Sequence, residues 1–377
     1  MRGYTGDEPL SSFLRQFFSK EKKYGSRDRK AISHLCYGYF RLGHALEGLP
    51  VEERMMKALF LCSTEPNILL QQLDAALNEQ VMLPVEEKMN IAGDGSLWQH
   101  IFPLAEHISE KINGQAFLTA HLRQPDLFLR IRPGYEEAVQ RIVSENGLPA
   151  QFPAHSTLQL PNSINAAPYF EPDKQVVVQD YSSQQTGQLF TRWLAGKQDK
   201  QELNILDACA ASGGKTMMLY DLLNGKGHFT VNDVRASIIH NLKQRFKQAG
   251  IKNYRPLVAD ITKGQPFSKD TFDVVIADVP CSGSGTWGRN PEHLAFFREN
   301  KLHEYAALQK KIIERLPGLL RNGGLLFYIT CSVYKEENEM NTALLQQYGL
   351  KLLEEKYFCG YMNKADTMYG AVLGKEV

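Results

Sequence analysis

A chain of 377 residues, 43% apolar and 23% charged, exceeds one ordinary hydrophobic core and divides into two or three domains. Its net charge of +1 leaves any nucleic-acid footprint to a local basic patch, and no apolar run approaches the roughly 20 residues that span a bilayer. The first ten residues lack the charged-then-apolar order of a secretion signal, so a cytoplasmic location without membrane contact is expected.

Residues 1–120 read as helical. Apolar residues recur at three- and four-residue spacing over Ser11–Ser19 and Ala31–Leu46, giving the stripes Leu14, Phe17, Phe18 and Ile32, Leu35, Cys36, Tyr39, Phe40. Gly25-Ser26 breaks the two, with Ser26 the expected N-cap. The segment from Lys20 to Lys30 carries six basic and two acidic residues and is the candidate basic patch. Asn90–Ser96 signals a loop. Residues 121–170 form a small α/β unit, with a strand at Leu127–Ile131, a turn at Arg132-Pro-Gly134 and an amphipathic helix over Tyr135–Asn146.

Residues 171–377 alternate strands and helices. Strands are expected at Leu203–Ala208, His228–Asn232, Arg255–Ala259, Phe272–Ala277 and Gly324–Ile329, with helices such as Ser237–Ala249 and Glu304–Leu320 between them. That order predicts a doubly wound parallel sheet, closed by an antiparallel hairpin from Leu350–Phe358 and Thr367–Leu373.

The first of these strands runs into Asp207-Ala-Cys-Ala-Ala-Ser-Gly-Gly-Lys-Thr216. In a doubly wound sheet such a turn lies at the carboxyl edge, where ligands bind. Gly213 and Gly214 permit close backbone approach. Gly214-Lys-Thr216 matches the end of a phosphate loop, but Cys209 stands where its first Gly is required. Strand two ends at Asp233, suited to a ribose diol, and strand three at Asp260, suited to an adenine amine. Each acid alone is equally well a helix cap. The series Asp207, Asp233, Asp260 suits an adenosine ligand without phosphates, such as S-adenosylmethionine.

Six cysteines occur, at positions 36, 62, 209, 281, 331 and 359, with no C-x-x-C pair and no zinc-spaced histidines, so neither a metal nor a disulfide framework is expected. Two stand in polar turns. Strand four ends in Asp278-Val-Pro-Cys281, where methyltransferases acting on exocyclic amines carry an aromatic residue. Carbon 5 of a pyrimidine is a poor nucleophile, and thiolate attack at carbon 6 makes it able to accept a methyl group. Strand five ends in Thr330-Cys-Ser332, and neighbouring strands bring both thiols to one cleft. A small packed cysteine is the competing reading for each.

Asp207–Lys215, Asp278-Val-Pro-Cys-Ser-Gly-Ser-Gly285, Tyr328-Ile-Thr-Cys-Ser332 with Glu337-Asn-Glu339, and Gln179-Asp-Tyr-Ser-Ser-Gln184 together resemble the Sun-type RNA cytosine-5 methyltransferases. The resemblance implies a class I, Rossmann-like methyltransferase domain over 171–377. It also implies a helical NusB-like RNA-binding region over 1–120, carried by Tyr24–Lys30 with Tyr37 and Arg41. The small unit, through Asp126–Ile131, resembles the family's RNA-recognition-like subdomain. The implied reaction is methyl transfer from S-adenosylmethionine to carbon 5 of a cytosine in RNA, with ribosomal RNA the expected partner and a monomer the expected state. Cys331 takes the role of nucleophile and Cys281 that of assisting release. Asp278 meets both the methyl donor and the base, and Lys215 orients Asp278 or lowers a cysteine pKa. The cofactor contacts implied are Cys209, Ala210, Ala211, Ser212, Gly213, Gly214, Lys215, Asp233, Asp260 and Asp278. Three positions depart from the family pattern: Arg132 for Asn, Ser212 for Pro, and Pro317 in the helix before the fifth strand. The competing functions are a ribosome-assembly or RNA-binding factor with a vestigial catalytic domain, and a small-molecule methyltransferase.

Overall fold

The computed structural model describes residues 3–93, 95–195, 202–264 and 266–376. Met1 and Arg2 of the expected helical region, Asp94 of the expected loop and Val377 of the expected catalytic domain lie outside the described residues. The chain divides into two compact units, one of Met1–Pro125 with Thr286–Lys301, the other of Asp126–Gly285 with Leu302–Val377.

The first unit is helical. Helices Leu10–Lys20 and Ser26–Arg41 bury Leu14, Phe18, Cys36 and Phe40, the inward side of the stripes, while Phe17, Ile32 and Tyr39 pack at its margin. The second helix starts at Ser26 itself, so the cap falls one residue earlier than expected: Gly25 is the N-cap, and its N–H donates to Asp28 Oδ2 at 3.2 Å. It ends at Arg41, short of Leu46, which sits at φ +60°. The segment Thr286–Lys301 completes this core. Phe296 packs edge-on against Tyr4, and Glu292 Oε1 accepts the Leu10 N–H at 2.9 Å.

The second unit holds two sheets. The small one comprises β1 (Leu127–Ile131), β2 (Gln151–Ala154), β3 (Thr157–Leu160) and β4 (Val176–Val178), in the antiparallel order β2-β3-β1-β4. Helix Glu136–Glu145 covers it through Val139, against Leu129, Ile131, Leu158 and Val176. Because β4 pairs with β1, this subdomain extends past the expected boundary at residue 170.

The large sheet comprises β5 (Asn204–Asp207), β6 (His228–Asp233), β7 (Tyr254–Val258), β8 (Phe272–Asp278), β9 (Leu320–Thr330), β10 (Leu350–Cys359) and β11 (Thr367–Lys375), ordered β10-β11-β9-β8-β5-β6-β7. Strands β5 to β9 are parallel, and the β10–β11 hairpin adds antiparallel to β9. The expected doubly wound sheet and terminal hairpin are therefore present. Val274–Ala277 is fully buried because helices cover both faces, which is why the strand reads as an unbroken apolar run. On one face Leu189, Phe190, Met218 and Leu219 pack on Ile205, Val274, Ile276 and Phe327. On the other, Leu242 and Phe246 of helix Ala236–Ala249 pack on Val231. Helix Glu299–Ile313 stops before Pro317, which opens a short 3-10 turn into β9. Among the described residues, no helix is long and apolar enough to cross a membrane.

Two buried arginines join the sheets. Arg130 Nη1 donates to Asp221 Oδ2, and Arg132 Nη2 donates to Asp221 Oδ1, both at 2.7 Å. Arg132 Nη1 also donates to the carbonyls of Asp173 (3.0 Å) and Ala249 (2.7 Å). The departure at Arg132 is thus an internal tie. Asp221→Ala strips both guanidinium groups of their counter-charge and is expected to cost about 3–5 kcal/mol, read as a lower urea midpoint; an unchanged midpoint would refute the tie.

Candidate active site

Strand order reverses between β5 and β8, and the carboxyl ends of β5 to β9 gather the site there. After β5 the chain turns through Ala211 (φ +44°) and Gly213 (φ +84°) into helix Gly214–Leu222. A Cβ on Gly213 would lie 2.5 Å from the Phe246 ring, so glycine is required there both for φ and for space. Gly214 meets no such neighbour. Asp207 is buried, accepts the Thr216 hydroxyl at 2.6 Å, and has its pKa pushed up to about 7 by burial.

A cavity of about 340 Å³ opens beyond these strand ends, within the range of small-ligand sites. Of the residues expected to contact a cofactor, Cys209, Ala211, Asp233, Asp260 and Asp278 line it. Ala210 turns inward against Met217, Leu242 and Phe246, and Ser212 to Lys215 shape the loop behind the lining. Asp233 Oδ1 accepts from the Arg235 backbone N–H at 2.9 Å and from Arg235 Nε at 3.2 Å. Asp260 Oδ1 accepts from the Thr262 hydroxyl at 2.6 Å, which with the Thr262 N–H and Lys263 holds its pKa below the ordinary carboxylate value. Burial and the nearby Asp207, Asp278 and Asp233 push the Cys209 thiol up, so it stays neutral.

The sequence reading missed several lining residues. Val234, Ile261 and Ile312 supply an apolar wall. Asn232 ties three strand ends: its Nδ2 donates to Ala208 O (3.0 Å) and Ala259 O (3.1 Å), and its Oδ1 accepts Ala259 N–H (3.1 Å). An Asn directly before the strand-end acid was the available signal. Arg245 was missed too. It donates to Ser212 O (2.8 Å) and Oγ (2.9 Å) through Nη1, and pairs with Asp173 through Nη2 at 2.6 Å. Ser212, without the rigidity of Pro, is thus pinned from outside the loop.

Beside the cavity, Lys215 Nζ lies 3.2 Å from Asp278 Oδ2 and donates to Ser183 Oγ at 2.8 Å. Strand-end neighbours Cys281 and Cys331 bring their sulfurs to 3.4 Å. The hydrogen bond with Cys331, burial and the negative Glu337 all raise the Cys281 pKa well above its ordinary value. Lys215 is thus an ion-pair partner of Asp278. Gly285 closes the turn: its N–H donates to Cys331 O at 2.8 Å, and a Cβ there would lie 2.0 Å from Thr367 O. Glu337 is buried beneath both cysteine loops. Burial raises its pKa, although hydroxyls of Ser282 and Ser332 oppose the shift. Among the described residues, no group of three or more His, Cys, Asp or Glu is placed to hold a metal ion.

Residues 192–365 match the family model described as 16S rRNA methyltransferase RsmB/F. Ribosomal RNA small subunit methyltransferase B of Escherichia coli is 30% identical over 246 residues, covering 62% of this chain and 54% of that protein. Ribosomal RNA small subunit methyltransferase F of Aeromonas salmonicida is 31% identical over 160 residues, covering 42% and 34%. The chain thus spans about half the length of the first of these curated relatives and about a third of the second. Among solved structures, PH0851 superposes with a TM-score of 0.70 at 21% identity, covering 96% of this chain and 93% of its own. NSun6 from Pyrococcus horikoshii with SFG gives 0.57 at 18% identity, covering 72% and 99%. Both share the fold.

Arg245→Ala releases Ser212 and Asp173. It is expected to weaken binding of S-adenosylhomocysteine by about tenfold, the scale of one lost charge-assisted hydrogen bond. Titration calorimetry measures this, and equal affinities in the variant and the parent would refute the pin.

Proposed function

We propose that this chain, whose residues 192–365 match the RsmB/F methyltransferase family model, belongs to that family and methylates carbon 5 of a cytosine in ribosomal RNA through a covalent cysteine–cytosine intermediate. The observation that carries the reading is the pair of thiols 3.4 Å apart, beside Asp278 and a cavity lined by strand-end acids. A retained dithiol at that place has no use in a vestigial RNA-binding factor, and attack at a pyrimidine ring is the chemistry that needs it.

The cavity fits S-adenosylmethionine. It offers three carboxylates, from Asp233, Asp260 and Asp278, and an apolar wall for an aromatic ring, while its Arg235 is paired with Asp233. That set suits a ribose and an adenine and disfavours polyphosphate. When bound, the cofactor supplies a methyl group activated on a positively charged sulfur.

Cys331, as thiolate, bonds to carbon 6, and the carbon 5–carbon 6 electron pair shifts to carbon 5. Asp278, as the carboxylic acid, donates a hydrogen bond to ring nitrogen 3 and steadies the charge that develops there, with Lys215 3.2 Å away fixing its position. Once carbon 5 is methylated, its proton passes to a water molecule, the carbon–hydrogen electron pair re-forms the carbon 5–carbon 6 double bond, and Cys331 departs from carbon 6 as the thiolate. Cys281 assists that elimination. The target base reaches the thiols single-stranded or flipped from its stack.

Cys331→Ala is expected to abolish transfer of labelled methyl to RNA while S-adenosylhomocysteine still binds; near-normal turnover would sink the assignment. Cys281→Ala is expected to accumulate a protein–RNA adduct, seen as a slow band on a denaturing gel. Its absence, with active parent enzyme, would remove the release role. Bisulfite sequencing of ribosomal RNA from cells with and without the chain locates the cytosine.

A further inference from the structure

We propose that Glu337 is a positioning residue that sets the distance between the two reactive sulfurs, an inference that rests on the covalent reading above. The ladder between β8 and β9 ends at the Asp278–Ile329 pair, before either cysteine. Beyond it the two turns are joined by side chains.

Glu337 is fully buried and takes hydrogen bonds from both turns. Its Oε2 accepts the hydroxyls of Ser282 and Ser332, and its Oε1 accepts the Ser282 N–H at 2.8 Å. Ser282 directly follows Cys281, and Ser332 directly follows Cys331. The residues preceding the cysteines are held by the same apparatus. Gln309 Nε2 donates both to Glu337 Oε1 (3.1 Å) and to Pro280 O (2.9 Å). Asn338, next in sequence, accepts the Thr330 hydroxyl at 2.5 Å and donates to Ser332 O at 2.9 Å. Each cysteine is therefore flanked on both sides by residues that Glu337, Asn338 and Gln309 hold.

A carboxylate suits this task because it is acceptor-only with about four lone-pair sites, and here four donors from three segments converge on it. An amide or hydroxyl accepts fewer. The chemistry demands such fixing, because attack and release involve different sulfurs on one base, and a misplacement of about 1 Å costs on the order of a hundredfold in rate.

The test reads the sulfur spacing without RNA. Phenylarsine oxide, which bridges two close thiols, is applied to the full chain, with Cys281→Ala as the background for other cysteines. Glu337→Ala is expected to slow capture by about tenfold and kcat for RNA methylation by on the order of a hundredfold, with S-adenosylhomocysteine affinity unchanged. Glu337→Gln, which keeps one acceptor and the length, is expected to recover part of both. Unchanged capture in Glu337→Ala would overturn the proposal, as would slower capture accompanied by a matching loss of S-adenosylhomocysteine affinity. Should Glu337→Ala fail to fold, the Ser282→Ala/Ser332→Ala pair removes the hydroxyl ties and is read by the same criteria. A parent chain that captures the arsenical, responds to Glu337→Ala and yet methylates no RNA would leave the clamp standing and overturn the functional reading.

Discussion

The side-by-side, parallel pairing of β8 with β9 is the constraint on which the site depends. Parallel strands end at the same edge, so the residues that follow them emerge into one space. Asp278 pairs with Ile329, and the chain then needs only a few residues on each side to bring two sulfurs together. An antiparallel neighbour presents its opposite end, as β11 does: it begins near the end of β9, where Tyr369 pairs with Thr330, and contributes backbone packing against Gly285. The same edge, continued across β5 and β6 to β7, builds the cavity. Asp278 lies at the junction and belongs to both halves.

Around this edge the structure spends buried polar groups on alignment. A continuous route runs from the small sheet to Asp278. Arg130 Nε donates to Gln179 Oε1 (2.9 Å), Gln179 Nε2 to Ser183 Oγ (3.2 Å), and Lys215 to that same hydroxyl while paired with Asp278. A second route runs from Arg132 through Asp173 and Arg245 to Ser212 of the cofactor loop. Buried polar networks of this kind favour one arrangement over near alternatives, with Arg130 Nη2 the atom of the first route that finds no partner among the described residues. They also give the small subdomain a mechanical role beside whatever it recognises.

Much of this was legible in the sequence, for a physical reason. Strands buried on both faces leave unbroken apolar runs, and turns at their carboxyl ends leave Gly, Ser and Asp at fixed offsets. The cysteines stood out because their neighbours, Pro280, Ser282, Thr330 and Ser332, are poor core residues. The missing parts act across long sequence separations. Arg245 meets Ser212 across 33 residues, and Glu337 meets Ser282 through a fold that nothing local announces. Arg132 read only as a departure from the family pattern but is spent on Asp221. β4 was missed because three valines before Gln179 look like the start of the next domain until β1 pairs with them. Val234 and Ile261 are ordinary apolar residues until the cavity they wall is seen.

The helical unit takes Thr286–Lys301 from the middle of the chain, and the polypeptide passes between units after residues 125, 285 and 301. Tyr4 and Phe40 pack on Phe296, and Phe102 stacks on Trp287, so the borrowed stretch is core rather than trim. Modular inheritance is therefore closed to this unit. A gene fusion, truncation or recombination event at residue 125 would carry off most of its helices and leave an apolar plug behind in the other fragment. The helical core closes only when residues on both sides of that break belong to one chain.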